Sequence, residues 1–401
     1  MRAVEAVDVA VIGGGPAGAA VAAHLASRGW LVAVLERTPA WRWRACGVFS
    51  SPASVTALHR TGLSETTLAR VTRPIPAMRV ETVRGTRFRL TYGDHGLLTA
   101  PAVGFDRSAL DPALLDQAAD RGADVRRGVA VRAVRLPSRR GEPAELEVDD
   151  GQGGSRLRAA VVIGADGARS LVARAAGVRR RSPLADRIGL TFHVPDPVAG
   201  AHDARMVVLD GGYVGLAPVP GGRVNVGIVL DGRWRDRLRK EGGRATATAI
   251  LARVAPELAD TGPCDHLAGA MPLAHGVARR AGPGWLLVGD AAGFLDPFTG
   301  EGLHRALVSA ELAAIAIDGL LHGHRRDLEG YSRAMRRRFR GKDVVSLLVQ
   351  LFLSRPALFE HAAIRLAARP DVRETMGLVM GDLAPASHAL DPRFLAALLR
   401  P

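Results

Sequence analysis

The chain has 401 residues, 47% apolar and 23% charged, a balance that excludes a disordered polymer and allows one large core or two modest ones. Its formal charge of +14 and isoelectric point near 11.1 would suit nucleic acid, yet the cations are nearly all arginines spread along the whole length. No recognition motif or aromatic platform accompanies them, so nucleic acid is not an expected partner.

In chain order, Val7 to Ile12 reads as a buried strand. "GGGPAGAAVAAHLASRG" reads as a glycine turn and an alanine-rich helix, and "LVAVLER" as the next strand, making a βαβ unit. Asp8 and the Gly13 to Gly15 cluster interrupt any signal-peptide core. Ser51 to Leu68 is expected to be helical, and "PAMRVETVRGTRFRLTY" to be a hairpin turning at Arg84-Gly85. Arg107 to Gly122 is expected to be helix, followed by "ADVRRGVAVRAVRL" and "AELEVDDGQGGSRLRAAVVIGADG" as strands. Between Arg187 and Met271 the strands "RIGLTFHVP", "ARMVVLDGGYVGLAPVP" and "RVNVGIVLD" suggest a separate sheet, with a helix from Arg244 to Val254. "GWLLVGDAAGF" resumes the buried-strand pattern, and helices dominate from Gly302 onward.

These patterns predict an α/β fold: a Rossmann-like nucleotide-binding domain with an inserted mixed β-sheet substrate domain and C-terminal helices. The expected division is 1–75, 101–186 and 280–320 for the first, 76–100 and 187–279 for the second, and 321–401 for the helical segment. The best candidate span, Leu307 to Leu321, carries Glu311 and Asp318 and is too short to cross a bilayer. Two cysteines, Cys46 and Cys264, exclude a disulfide framework and fit a reducing compartment, so a cytoplasmic location is expected. "SRAMRRRFRGK" before "VVSLLVQLFL" has two readings, a solvated helix face or a weak peripheral membrane contact through 332–353.

Gly13, Gly15 and Gly18 form GxGxxG between strand and helix, with Pro16 and Ala17 opening the helix. The first glycine permits the turn, the second admits a pyrophosphate close to backbone, and the third lets helix and strand pack. An ordinary glycine turn is the competing reading, but Glu36 closes the second strand where a carboxylate can accept from an adenosine ribose. A dinucleotide anchored there extends away, and a flavin dinucleotide presents a ribityl chain that needs an acceptor. Asp290, among Gly289, Ala291, Ala292 and Gly293, can be that acceptor, or it can simply cap a strand-to-helix loop. Free N–H groups from Gly300 through Glu301 and Gly302 to Leu303 would face negative charge on the reduced ring. His193, His202, His275 and His304 show no metal spacing, and no metal is expected.

"VIGGGPAG", "GADGARS" and "GDAAGFLDPFTGEG" occur in the order used by FAD-dependent enzymes of the aromatic-hydroxylase (group A flavin monooxygenase) and geranylgeranyl-reductase superfamily, which this chain resembles. The resemblance implies FAD held by Gly13, Gly15, Ala17, Gly18, Glu36 and Arg37, with Arg107, backbone near Val131, Asp290, Pro297, Gly300 and Gly302. It also implies that Asp166 orders the region between FAD and a reducing NAD(P)H. "RACGVFSSPASV" resembles a CG-containing segment of the reductase branch; Arg44 would neutralise pyrophosphate, with Gly47 beside it. Cys46 is either a proton donor near the flavin or a buried thiol.

Relatives carry YxWxFP (reductases) or WxWxIP (flavin halogenases) in the inserted sheet; here "YVGLAP" keeps Tyr213 and Pro218 but has Gly215 and Ala217. Loss of two aromatics is expected to widen the cavity for a bulky apolar small molecule, or to be a packing variation. Candidate catalytic groups are Cys46, His304 and Tyr213. The favoured chemistry is NAD(P)H-dependent hydroxylation of an apolar aromatic, quinol or polyketide. The alternatives are C=C reduction in a prenyl lipid and a flavin-binding protein with a structural cofactor.

Overall fold

The computed structural model describes residues 4–92, 101–182, 184 and 186–399. Residues 93–100, part of the expected second unit, therefore lie outside the described residues, as do positions 1–3, 183, 185, 400 and 401.

An eight-stranded sheet forms the base. Glu5–Ile12 is central, parallel to Val32–Glu36 on one side and to Gly154–Gly164 on the other; Asp124–Arg127 and Trp285–Leu287 extend it in parallel. Where these strands are covered on both faces they are apolar, as at Val9 to Ile12, Val32 to Leu35 and Val161 to Ile163. Val9 and Val11 lie under the helices Pro16–Ala26 and Gly302–Leu321, while Ala10 and Ile12 pack with Leu146 and Val148 of the Ala144–Asp149 strand. The Pro16–Ala26 helix can be sandwiched this deeply because its buried residues are nearly all alanine, glycine or valine, which let neighbouring backbones approach.

A seven-stranded sheet stands over this base, ordered Ala268–Ala270, Ile188–Pro195, Arg223–Leu230, Gly212–Val219, Ala204–Leu209, Ala77–Glu81 and Arg87–Thr91. Its two faces follow the strand period of two. Leu190, Phe192, Val194, Val226 and Ile228 pack on the Gly243–Val254 helix. Met206, Tyr213, Ala217 and Val229 face the other way, onto the C-terminal helices, where Ala363, Leu366, Val372 and Val379 meet them. Gly377 of the Pro370–Met380 helix comes so close that a Cβ there would stand 2.0 Å from the Thr91 carbonyl oxygen.

Two local expectations differ from what forms. The stretch expected as one helix from Ser51 to Leu68 is two, Pro52–Arg60 and Glu65–Val71, because Gly62 takes a φ of +94° and ends the first. A three-stranded sheet of Phe49–Ser50, Ala102–Phe105 and Thr72–Ile75 was not anticipated; its short strands carry no period long enough to read. It wedges the base against the upper sheet.

Candidate FAD site

Three distant glycine turns meet at the carboxyl end of the central strands. Gly13, at φ +102°, lies against the Gly164–Asp166 turn so tightly that a Cβ would fall 2.6 Å from the Ala165 carbonyl oxygen. A Cβ on Gly289 would stand 2.8 Å from Cβ of Ala17, bringing the Asp290 turn onto the first helix. Gly15 is the exception, with nothing within 4 Å of where its Cβ would be. It opens onto a pocket whose lining includes Gly14, Glu36, Trp41, Arg42, Arg44 and Arg127.

Glu36 is buried and largely committed to the chain itself. Its Oε2 accepts from the Gly14 N–H at 2.8 Å, and its Oε1 accepts from the Thr38 N–H and hydroxyl and, at 3.4 Å, from Arg44. Burial opposes ionisation there, but these donors hold the carboxyl below its usual range. Arg37 beside it is exposed. Val131 lies on the Ala130–Arg135 strand, opposite Val148, and Val129 ties this strand to the Glu36 carbonyl.

Further along the cleft, Arg107 opens the helix Arg107–Asp120, forks onto Asp111 and lies near Cys46, whose Sγ donates to the Gly47 carbonyl at 3.1 Å. Burial pushes the Cys46 thiol up, the Arg107 charge opposes this, and the net direction is upward. Asp290 stands close enough to both to influence them. Its backbone carbonyl accepts from His275 Nε2 at 2.6 Å, and its carboxylate takes no hydrogen bond from the described residues. Asp290 is exposed to the cleft, yet desolvation by the surrounding chain raises its pKa, with His275 and Arg107 opposing. Asp166 holds the Leu171 N–H at 2.6 Å with one oxygen, while Oδ1 is buried without a partner. Enclosure raises its pKa too.

The Cys46 segment packs on the turn that begins the Gly302–Leu321 helix. Gly47 would put a Cβ 3.9 Å from Pro297, and Gly300, at φ +67°, lies against the Phe49 ring. At Gly302 a Cβ would meet nothing, and the helix's first N–H groups, including that of Leu303, precede the first intrahelical bond, from the Arg305 N–H to the Glu301 carbonyl. The Glu301 side chain faces elsewhere, within 3.3 Å of Arg305 and 3.4 Å of the buried Lys342. An open cradle at Gly15, an unshared carboxylate at Asp290, an orphaned oxygen at Asp166 and a free helix start fit one elongated, polyhydroxylated, anionic ligand.

Two candidate catalytic groups are held differently from expectation. His304 does not face the cleft: its Nε2 accepts from Arg338 at 3.0 Å and its ring meets Phe339 edge-on, because this side of the helix packs on Glu329–Leu353. Burial lowers its pKa from 6.5 to about 4. A folded form that refuses a proton loses stability as the unfolded chain takes one, so stability is full above pH 6.5 and declines towards pH 4. The loss reaches about 3 kcal/mol, and His304→Gln should flatten the fall of the urea midpoint across that window.

Tyr213 is buried, and its hydroxyl donates to Asp296 Oδ1 at 2.5 Å; Arg187 meets the other oxygen at 2.9 Å. Burial raises the Asp296 pKa and Arg187 opposes it. Tyr213 thus pins the Pro297–Thr299 turn to the upper sheet. Tyr213→Phe should cost about 2 kcal/mol in denaturant unfolding, since a buried charge-assisted bond is lost while Arg187 still holds the carboxylate.

The space left by Gly215 and Ala217 is not wholly vacant: Met206, paired across from Gly215, reaches within 3.7 Å of the missing Cβ. Sequence reasoning missed the polar group on the same face, where Asn225 donates to Thr191 at 3.0 Å and His193 holds Asp265 at 2.6 Å beneath Trp43. The available signal was a polar residue at alternate positions of apolar strands, Thr191 and His193 in one and Asn225 in the next. Trp41 and Arg42 were likewise passed over, and they line the Gly15 pocket.

The fold and this convergence define an FAD-dependent oxidoreductase. Residues 6–346 match the family described as "FAD binding domain", and the chain belongs to it, within the aromatic-hydroxylase and geranylgeranyl-reductase superfamily. It is 31% identical over 330 residues to digeranylgeranylglycerophospholipid reductase 2 of Methanopyrus kandleri, covering 78% of each chain. It is 29% identical over 330 residues to menaquinone reductase of Mycolicibacterium smegmatis, covering 77% of this chain and 75% of that one. A flavoprotein/dehydrogenase from Cytophaga hutchinsonii shares the fold with a TM-score of 0.84 at 21% identity, covering 98% of this chain and 95% of that one.

Proposed function

We propose that this enzyme reduces isolated C=C bonds in the prenyl chain of an apolar lipid. The observation that carries the reading is the place of the half-buried Cys46 thiol, beside Arg107 and Asp290 and next to the turn from Pro297 to Gly300, with its pKa raised. The reductase names of two relatives support the same choice. Bound FAD, once reduced, supplies a hydride from its N5 atom.

This chain's residues do the rest. Gly13, Gly15, Pro16, Ala17, Gly18 and Arg44 would seat the pyrophosphate, Glu36 and Arg37 the adenosine end, and Asp290 the ribityl hydroxyls. The N–H groups from Glu301 to Leu303 would face the pyrimidine end, while that of Gly300, contrary to expectation, is taken by the Pro297 carbonyl at 3.0 Å. Cys46 holds a proton at Sγ for delivery to the carbon that becomes electron-rich, which a thiol that stays protonated at neutral pH can do. Met206, Ala217 and Val229 are buried in the core beneath, and the half-buried Phe49 and Phe298 packed on them offer apolar surface suited to excluding water around a hydrocarbon chain. NAD(P)H approaching past Asp166 is the proposed reductant.

Hydroxylation of a quinol or aromatic is the rival chemistry and needs no thiol proton. Turnover of reduced holoenzyme with a geranylgeranyl lipid or a polyprenyl quinone, run anaerobically and again with oxygen admitted, separates them. Products gaining one H2 per saturated bond support reduction. An oxygen-dependent product carrying one added oxygen atom would overturn it. Reduced flavin untouched by every substrate would mark a structural cofactor.

A further inference from the structure

The Glu329–Leu353 helix divides into two opposite faces. Tyr331, Met335, Phe339, Lys342, Val345, Ser346 and Gln350 are buried, and the Tyr331 hydroxyl donates to the Leu287 carbonyl at 2.7 Å, anchoring the helix to the base sheet. At roughly 3.6 residues per turn, the residues on the opposite side are Arg333, Arg336, Arg337, Arg340, Val344, Leu347 and Leu351, and all of them are exposed. The first half of this stripe is basic. The second half is apolar, with Val344 39%, Leu347 47% and Leu351 40% exposed, and the exposed Arg355 follows just past the helix end. The stripe's acid is Glu329 at its start, 4.0 Å from Arg333.

The geometry points to a docking face for the surface of an anionic lipid bilayer, with the Val344–Leu351 sector lying in the headgroup boundary and the arginines on lipid phosphates. Charge complementarity selects the occupant: a second copy of this chain would bring a like-charged stripe against this one, whereas phosphate-bearing lipid neutralises it. The contact lies along the surface. Among the described residues no single helix is long and apolar enough to cross a membrane, and this helix and Pro356–Ala368, which pass on length and composition only together, meet at 113°. The inference does not depend on which reaction the flavin performs, although a lipid substrate would be met there.

Sedimentation of FAD-loaded protein with vesicles tests it. Wild-type protein should pellet with phosphatidylglycerol vesicles, far less with pure phosphatidylcholine, and less as salt rises. Leu347→Glu/Leu351→Glu and Arg336→Glu/Arg340→Glu should each weaken binding about tenfold or more while keeping the flavin spectrum and thermal midpoint. Wild-type protein that stays in solution with phosphatidylglycerol, or a Leu347→Glu/Leu351→Glu variant that binds equally, would overturn the proposal. So would a dimer in light scattering that the leucine variant converts to monomer, which would assign the face to self-association.

Discussion

Gly15→Val should yield a folded protein that purifies without yellow colour, whereas Gly18→Ala should be strongly destabilised. Both positions belong to one short motif, and the difference comes from what each Cβ would meet. Gly15 sits at φ −73° and ψ −180°, extended backbone that valine accepts, and its side chain would project into open space. Only a ligand would collide with it, so FAD affinity should fall on the order of 100-fold while thermal unfolding of the apoprotein changes little. At Gly18 the added methyl would stand 2.0 Å from the Gly13 carbonyl oxygen, a backbone atom that cannot move without parting helix from strand. That overpacking costs about 3 kcal/mol. FAD titration followed by absorbance, with the unfolding midpoint of each apoprotein, checks both. A Gly15→Val protein binding FAD as tightly as wild type would show that the cradle is not at this turn.

Cys46→Ala should slow C=C reduction about 10²- to 10³-fold, the usual loss when a positioned acid is removed. Reduction of the flavin by NAD(P)H, which asks nothing of the thiol, should stay near wild type. The pH profile carries the sign. Burial lifts the thiol above its ordinary value of 9.0, and the acid works only when protonated. Turnover is therefore expected to be level from neutral pH upward and to fall only on the alkaline side of 9, a limb absent from Cys46→Ala. Equal rates for the variant and wild type would remove Cys46 from the chemistry and return weight to hydroxylation.

Glycine motifs were legible because their demands are local. A positive φ at Gly13, Gly289 and Gly300, or backbone contact at Gly18, is a constraint on one residue and a few neighbours, and it survives in the sequence as a spacing. The parallel core strands were legible for a similar reason: burial on both faces leaves continuous apolar runs such as Val9 to Ile12. His304 shows the opposite case. Its place in the chain, just after the Gly300–Gly302 turn, suggested the flavin ring, but which side of a helix faces a cofactor is set by what packs on the other side. Here that is a helix beginning at Glu329. Tyr213 was recognised as part of a patterned segment, while its partner Asp296 lies far along the chain and only folding joins them.

By itself the amino-acid sequence determined the α/β plan and the flavin dinucleotide as ligand, since each rests on backbone geometry or periodicity written over short stretches. Only the tertiary structure decided how the side chains are used: Glu36 bound by the chain's own donors, Cys46 beside Arg107, Met206 filling the gap at Gly215, and arginines and leucines brought to one exposed helix face. Such contacts depend on which surfaces the folded chain buries against one another, and a linear pattern does not record its partners in space.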